Sequence, residues 1–171
     1  MKTYSLLLAD NRLITYQDRK RRLWLLSLFY PLLALSGIGL YLLTGSEWIL
    51  IMPLIGIYGG ASIFDWLLGT DQSNPPEELV PQLEADPYYR WLPILTVPLH
   101  LVVLVIIAGF TASHDLAWPS VLVLALTAGL YSGLGINTAH ELGHKKTALE
   151  RWMARIMLAV PFYGHFCIEH N

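Results

Sequence analysis

The sequence has little of what a disulfide-rich or nucleic-acid-binding protein needs. Its 171 residues include one cysteine, Cys167, which excludes a disulfide framework and a cysteine-rich zinc module. A metal ion would therefore be held by nitrogen and oxygen ligands. Charged residues make up only 14%, the net charge is −2, and no basic run is interleaved with aromatic residues. Nucleic-acid binding is set aside on these grounds.

What the sequence does contain is an excess of apolar residues. Hydrophobic residues make up 54% and the mean hydropathy is +0.47, more than a soluble domain of this length buries. Crossing about 30 Å of hydrocarbon takes roughly 20 apolar residues in a helix. Four stretches have that length, and tryptophans lie near their ends, as is typical of membrane interfaces. The sequence predicts an all-α, polytopic bundle in a single membrane domain, with spans at about 23–43, 48–68, 91–110 and 117–136.

Basic residues indicate how the chain is oriented in the membrane. They precede the first span and follow the fourth, whereas the two turns on the other side have none, so both ends are predicted to be cytoplasmic. Residues 137–171 are then cytoplasmic. The segment 148–160 reads as an amphipathic helix, with Trp152 and Ile156 on its apolar side. The basic residues are Arg19, Lys20, Arg21, Arg22, Lys145, Lys146, Arg151 and Arg155.

The end of the fourth span carries two histidines at metal-ligand spacing. His140 and His144 are four residues apart, so on a helix their imidazoles share one face and are close enough to hold one metal ion. With Glu141 they form an H-E-x-x-H motif, in which zinc proteases use the glutamate as a general base. The alternative is a solvated helix end without a metal.

A second cluster of the same chemistry follows at the carboxy end. His165 and Glu169 are one helical turn apart, and His170 adjoins Glu169. Imidazole binds iron, zinc and copper alike, so ligand type alone does not choose the metal. The two clusters together favour a histidine-carboxylate metal site at the cytoplasmic surface.

Two segments resemble a known family. Residues Asn137–Lys146 and Tyr163–Asn171 are similar to the first and second histidine boxes of the membrane-bound non-haem di-iron alkane monooxygenases, the AlkB-type alkane hydroxylases. The resemblance extends to Asn74–Glu78, Pro87–Arg90 and Arg151–Ala154, and so covers most of the chain. It identifies the sequence as the amino-terminal part of such an enzyme.

The resemblance implies a reaction and its cofactors. Family members hydroxylate the terminal carbon of medium-chain n-alkanes with O2 at two iron ions, and electrons come from a separate or fused rubredoxin. They lie in the bacterial inner membrane and have six spans. The implied iron ligands are His140, His144 and His170; the residues implied to orient them are Glu141, Glu169 and His165, with Asn171 and Asp65 as further candidates.

The same resemblance implies that residues outside this sequence complete the site. The family's second box continues with a Gly-His-His after the position of Asn171, and later boxes add further histidines. We therefore expect this segment alone not to hydroxylate alkanes. Substrate is expected to enter from the bilayer, with Ile57 setting chain length and Gly133 lining a channel, although small residues of this kind also serve helix packing. His100, alone in the third span, is expected to be a packed or hydrogen-bonded side chain.

Three other interpretations remain at this point. An intramembrane zinc protease would use His140, Glu141 and His144, with Glu169 as a downstream ligand. A fatty-acid desaturase is a relative whose histidine boxes are spaced differently. In the third interpretation the chain is a membrane scaffold whose histidines are merely solvated.

Overall fold

The computed structural model describes residues 2–69 and 74–169. The chain is mostly helical, as predicted, and adds an antiparallel hairpin of strands β1 (Lys2–Leu7) and β2 (Leu13–Asp18). The α-helices are α1 (Leu25–Phe29), α2 (Ser36–Thr44), α3 (Met52–Ile55), α4 (Ala61–Leu68), α5 (Val80–Glu84), α6 (Pro87–Ser113), α7 (Trp118–Gly143), α8 (Ala148–Ala159) and α9 (Phe166–Glu169). Turns of 3-10 helix span Tyr30–Leu35, Glu47–Ile51 and Glu77–Leu79, and a π-helical turn spans Gly56–Gly60.

Four helical segments are long and apolar enough to cross a membrane, namely Leu25–Thr44, Glu47–Leu68, Pro87–Ser113 and Trp118–Gly143. Pro31 lies at the start of a 3-10 stretch in the first segment, because proline cannot donate the next backbone hydrogen bond of an α-helix. A Cβ added at Gly37 would lie 2.8 Å from the carbonyl oxygen of Leu50, so the first two segments pack backbone against backbone. In the most apolar 18-residue window of each segment, the share of buried residues is smallest in the second segment, at 11%, and largest in α6, at 39%.

Two apolar clusters hold the helices together. The first joins all four long segments, and the second joins the amino-terminal half of α6, the end of α7, and α8. The first contains Ala34, Ile38, Leu50, Val103, Ile107, Phe110, Leu124 and Tyr131. The second contains Ile94, Val97, Ala139, Leu142, Ala154, Met157 and Leu158.

The amino-terminal hairpin is the element that the sequence analysis does not predict. Tyr4 pairs with Tyr16 across its two strands, and Asn11 turns the chain in the left-handed region, at φ 62°. Asparagine tolerates that conformation better than most residues. Two short strands in a polar segment are a weak signal beside a 20-residue apolar run, which explains why the sequence pattern did not show them.

A buried carboxylate docks this hairpin on the start of α6. Asp86 caps α6 by accepting a hydrogen bond from the Tyr88 amide at 3.0 Å. It also accepts hydrogen bonds from Lys2 at 2.8 Å, from the Tyr4 hydroxyl at 2.5 Å and from Arg21 at 2.6 Å. The Arg21 guanidinium holds the pKa of this carboxyl far below its usual range, despite the opposing effect of burial. Burial and the bond to Asp86 raise the pKa of Tyr4 to about 12.

The helix predicted over 148–160 is α8 (Ala148–Ala159), and the face it buries is not the side that carries Trp152 and Ile156. Trp152 is 58% exposed and Ile156 is 37% exposed, whereas Ala154, Met157 and Leu158 are fully buried. The reason lies on α7: a Cβ added at Gly135 would come within 2.4 Å of Cε of Met157, so the missing side chain lets α8 approach closely. Helical periodicity shows that α8 is amphipathic, but contact with α7 selects the buried face.

Candidate metal centre

The first histidine pair lies at the carboxy-terminal end of α7. The ring centroids of His140 and His144 are 4.7 Å apart, with the planes inclined by 50°. The amide of His144 donates to the carbonyl of His140 at 3.3 Å, which closes the last helical turn. His140 is half-buried and His144 is exposed. The four-residue spacing thus places both imidazoles side by side at the end of α7.

The segment that carries the second cluster contacts the first pair through Phe166. The ring of Phe166, the first residue of α9, is 5.7 Å from the ring of His140, and Tyr163 contacts Phe166 at 5.5 Å. His165 and Glu169 form a long ion-pair contact of 4.0 Å between Nε2 and Oε2, with both side chains exposed. The fold therefore brings the two segments together, although 20 residues separate His144 from His165 in the sequence.

Two of the three predicted iron ligands, His140 and His144, lie within the described residues. Within residues 2–69 and 74–169 no three histidine, cysteine, aspartate or glutamate side chains are grouped closely enough to hold a metal ion. His170 and Asn171, the predicted third ligand and its neighbour, lie outside the described residues. The imidazole pair of His140 and His144 fits the nitrogen donors that a non-haem iron ion takes.

Glu141 lines a cavity at the carboxy-terminal end of α7. The cavity has a volume of about 460 Å³ and lies among the hairpin, α5, the amino-terminal end of α6 and the carboxy-terminal end of α7. Its wall combines apolar residues with three basic and three acidic side chains, namely Lys20, Arg90, Lys145, Glu84, Glu141 and Glu150. The role of Glu141 in orienting an iron ligand stays a prediction.

An ion pair joins α6 to α8, the helix that lies between the two histidine-containing segments. Arg90 Nε donates to Glu150 Oε1 at 2.9 Å, and the Thr147 hydroxyl donates to Glu150 Oε2 at 2.6 Å. The Glu150 amide in turn donates to Thr147 Oγ1 at 3.5 Å, which completes a capping box at the start of α8. Burial raises the pKa of Glu150, but the bonds from Thr147 and Arg90 outweigh it and leave this pKa lowered.

Sequence reasoning missed this ion pair, although half of it leaves a signal. The Thr-x-x-Glu spacing of Thr147 and Glu150 is the pattern of a capping box and predicts a helix start there. Nothing in the sequence indicates that Arg90, 60 residues earlier, supplies the counter-charge.

The remaining predicted residues lie in different surroundings. Asp65 is exposed on α4, and its carboxylate forms no ion pair within the part of the chain that the structure describes. Ile57 packs against the first apolar cluster, and Gly133 faces open space, with nothing within 4 Å of an added Cβ. His100 is buried, and neither of its ring nitrogens is hydrogen-bonded to a described residue. It is therefore packed, as expected, but not paired.

Comparison with known proteins agrees with the histidine pattern. No protein-family model matches the chain. Alkane 1-monooxygenase 1 of Alcanivorax borkumensis is 48% identical over 95% of the chain, and alkane 1-monooxygenase of Ectopseudomonas oleovorans is 46% identical over 91%. The enzyme of the same name from Acinetobacter baylyi is 34% identical over 90%. The chain spans about 40% of the length of these relatives. It is homologous to the alkane 1-monooxygenases and corresponds to their amino-terminal part.

Proposed function

We propose that the full-length protein containing this chain hydroxylates medium-chain n-alkanes at the terminal carbon, giving primary alcohols. The observation that carries this proposal is the homology to proteins named alkane 1-monooxygenase over more than nine-tenths of the chain. The neighbouring imidazoles of His140 and His144 support it, since they are the donors that the reaction's metal centre requires.

In this proposal the cytoplasmic end of α7 forms part of a centre for two iron ions. His140, His144 and His170 would hold iron, and Glu141, Glu169, His165 and Asn171 would hydrogen-bond to the ligands and fix their tautomers. The iron ions supply the O2 activation needed to attack an unactivated C–H bond. Imidazoles suit such a centre because, unlike thiolates, they are not easily oxidised.

The substrate and the electron donor reach this centre from opposite sides. Alkanes dissolve in the bilayer and would enter between the helices, past Ile57 and Gly133, while rubredoxin, separate or fused, would deliver electrons from the cytoplasm. The basic residues before the first span and after the fourth support a cytoplasmic position for both ends in a bacterial inner membrane. Asp65 would support the site from the end of the second span.

Replacing the histidine pair tests the proposal. His140→Ala and His144→Ala in the full-length protein should abolish O2-dependent formation of 1-octanol from octane and lower the iron content. His114→Ala removes a half-buried histidine at the far end of α6, where its ring contacts Phe110, and serves as the matched control, with activity and iron unchanged. Glu141→Gln should keep the iron and lose about 10- to 100-fold in activity, as expected of a residue that orients a ligand.

The opposite result would favour another interpretation. Zinc in the purified full-length protein, with no O2-dependent activity, would support the protease reading of His140, Glu141 and His144. Unchanged metal content in both histidine variants would support the scaffold.

A further inference from the structure

A second polar hollow lies where the amino-terminal hairpin meets the first apolar helix. It has a volume of about 480 Å³, and three arginines form most of its polar wall. The proposed iron centre shares none of its residues. Its lining residues are Asp18, Arg19, Arg21, Arg22, Leu25 and Tyr88.

Two of the three arginines have no counter-charge among the described residues. Arg21 pairs with Asp86 at 2.6 Å and lies over the Tyr88 ring, 4.0 Å from its centroid. The buried Asp18 accepts a hydrogen bond from the Tyr89 hydroxyl and lies 3.9 Å from Arg21. Arg19 and Arg22 are exposed, and neither forms an ion pair with a carboxylate of the described residues. The hollow therefore presents two guanidinium groups that can bind an anion.

The hollow lies at the level of lipid headgroups. The chain leaves it directly into the first apolar helix, where Leu23 is 61% exposed, Trp24 is 52% exposed and Leu26 is 68% exposed. Apolar side chains exposed at the start of a membrane helix face acyl chains, and tryptophan prefers the headgroup layer. Arginine next to such a segment extends its guanidinium toward the lipid phosphates.

We propose that this hollow binds the phosphate group of an anionic phospholipid. The guanidinium groups of Arg19 and Arg22 bind the phosphate oxygens, for which their planar donor geometry is suited. Leu25, the apolar residue of the wall, contacts the start of an acyl chain. A free phosphate ion has no apolar group that could contact Leu25, and this favours a lipid as the source of the phosphate. The site is independent of the iron centre and of the proposed reaction.

Lipid competition in nanodiscs tests the site. The full-length protein is placed in phosphatidylcholine nanodiscs containing a minor fraction of phosphatidylglycerol, and retained lipid is measured by native mass spectrometry. Each arginine near an anionic surface contributes about fivefold in affinity, so Arg19→Gln with Arg22→Gln should lower phosphatidylglycerol retention on the order of 30-fold. The matched control, Lys146→Gln with Arg155→Gln, removes the same charge from surface outside the hollow and should retain phosphatidylglycerol like the parent.

Three results would overturn the proposal. One is equal phosphatidylglycerol retention by parent and Arg19/Arg22 variant, provided that circular dichroism shows both are folded. Another is an equal loss in the Lys146/Arg155 control, which would mean that net charge alone attracts the lipid. The third is binding of inorganic phosphate in pure phosphatidylcholine discs without any preference for phosphatidylglycerol, which would make the hollow an ion site.

Discussion

Two buried carboxylates near the amino-terminal end of α6 perform different tasks with similar chemistry. The side chains of Asp86 and Glu150 are 4% and 5% exposed, and each is bound by an arginine. Asp86 holds the amino-terminal hairpin through Lys2, Tyr4 and Arg21. Glu150 holds the start of α8 through Arg90.

The difference lies in what each carboxylate is connected to. The partners of Asp86 belong to the hairpin region or to the first turn of α6, away from the histidines. Glu150 begins the helix that runs from the first histidine box to the second, so its ion pair with Arg90 helps to set the position of Phe166 beside His140. We expect the Asp86 interactions to serve mainly stability, and the Glu150 ion pair to serve the position of the second histidine segment as well. Substitutions can separate these roles.

The largest expected effect is on stability, at Asp86. Asp86→Ala removes the nearer counter-charge of Arg21, leaves it the more distant Asp18 at 3.9 Å, and should lower the free energy of unfolding by about 2–3 kcal/mol. Thermal unfolding in detergent, followed by tryptophan fluorescence, measures it. Asp10→Ala is the control, since Asp10 is half-exposed and pairs with Arg12 at the surface, where a pair contributes roughly 0–1 kcal/mol. The iron content of Asp86→Ala should stay at the parent level. A loss of iron in this variant would show that Asp86, like Glu150, supports the candidate site.

A smaller stability loss with a larger loss of iron is expected at Glu150. Glu150→Ala should cost about 1–2 kcal/mol, because it removes the charged hydrogen bond from Arg90 and the bond that the Thr147 hydroxyl donates to the carboxylate. Iron per protein should fall in the full-length protein, since α8 no longer holds the second box in place. A cycle with Arg90→Ala should give a coupling of about 1 kcal/mol in stability. Purely additive losses would show that the two side chains do not act together.

The packing of α8 on α7 gives the next effect in size. Gly135→Ala forces Met157 to move, because the added Cβ would overlap with its terminal methyl group, and should cost about 1 kcal/mol. Gly129→Ala on the same helix meets nothing within 4 Å and should be neutral or slightly stabilising, since alanine favours helices. Equal melting temperatures of the two variants would mean that α8 is not closely packed there.

The smallest effect is the pH dependence contributed by Asp86. Its pKa in the folded protein lies below the ordinary value of 3.8, so near pH 4 the folded state binds fewer protons than the unfolded state. The stabilisation is complete above about pH 4 and is lost as the pH falls further. Asp86→Asn should remove this part of the acid sensitivity, as measured by melting temperature from pH 6 to pH 3. An unchanged slope would assign the sensitivity to other carboxylates.

The part of the candidate site that lies on a single helix was predictable from the sequence. A spacing of four residues on a helix is enough to place His140 beside His144, because both lie on one helical face. The approach of Phe166 to His140 was not predictable, since it depends on the path of α8 and on Arg90, 60 residues before Glu150. The same limit explains why helical periodicity did not indicate which face of α8 is buried.

Sequence by itself determined the four long apolar helices, because lipid imposes a length and a composition that can be read along the chain. It also determined the histidine pairing on α7, because helical periodicity is local. Only the tertiary structure decided that a hairpin docks on Asp86, that Arg90 holds α8, and that two arginines border a hollow beside the hairpin. These features join residues far apart in the chain, and the energy of a buried charge depends on which partners the fold brings within hydrogen-bonding distance.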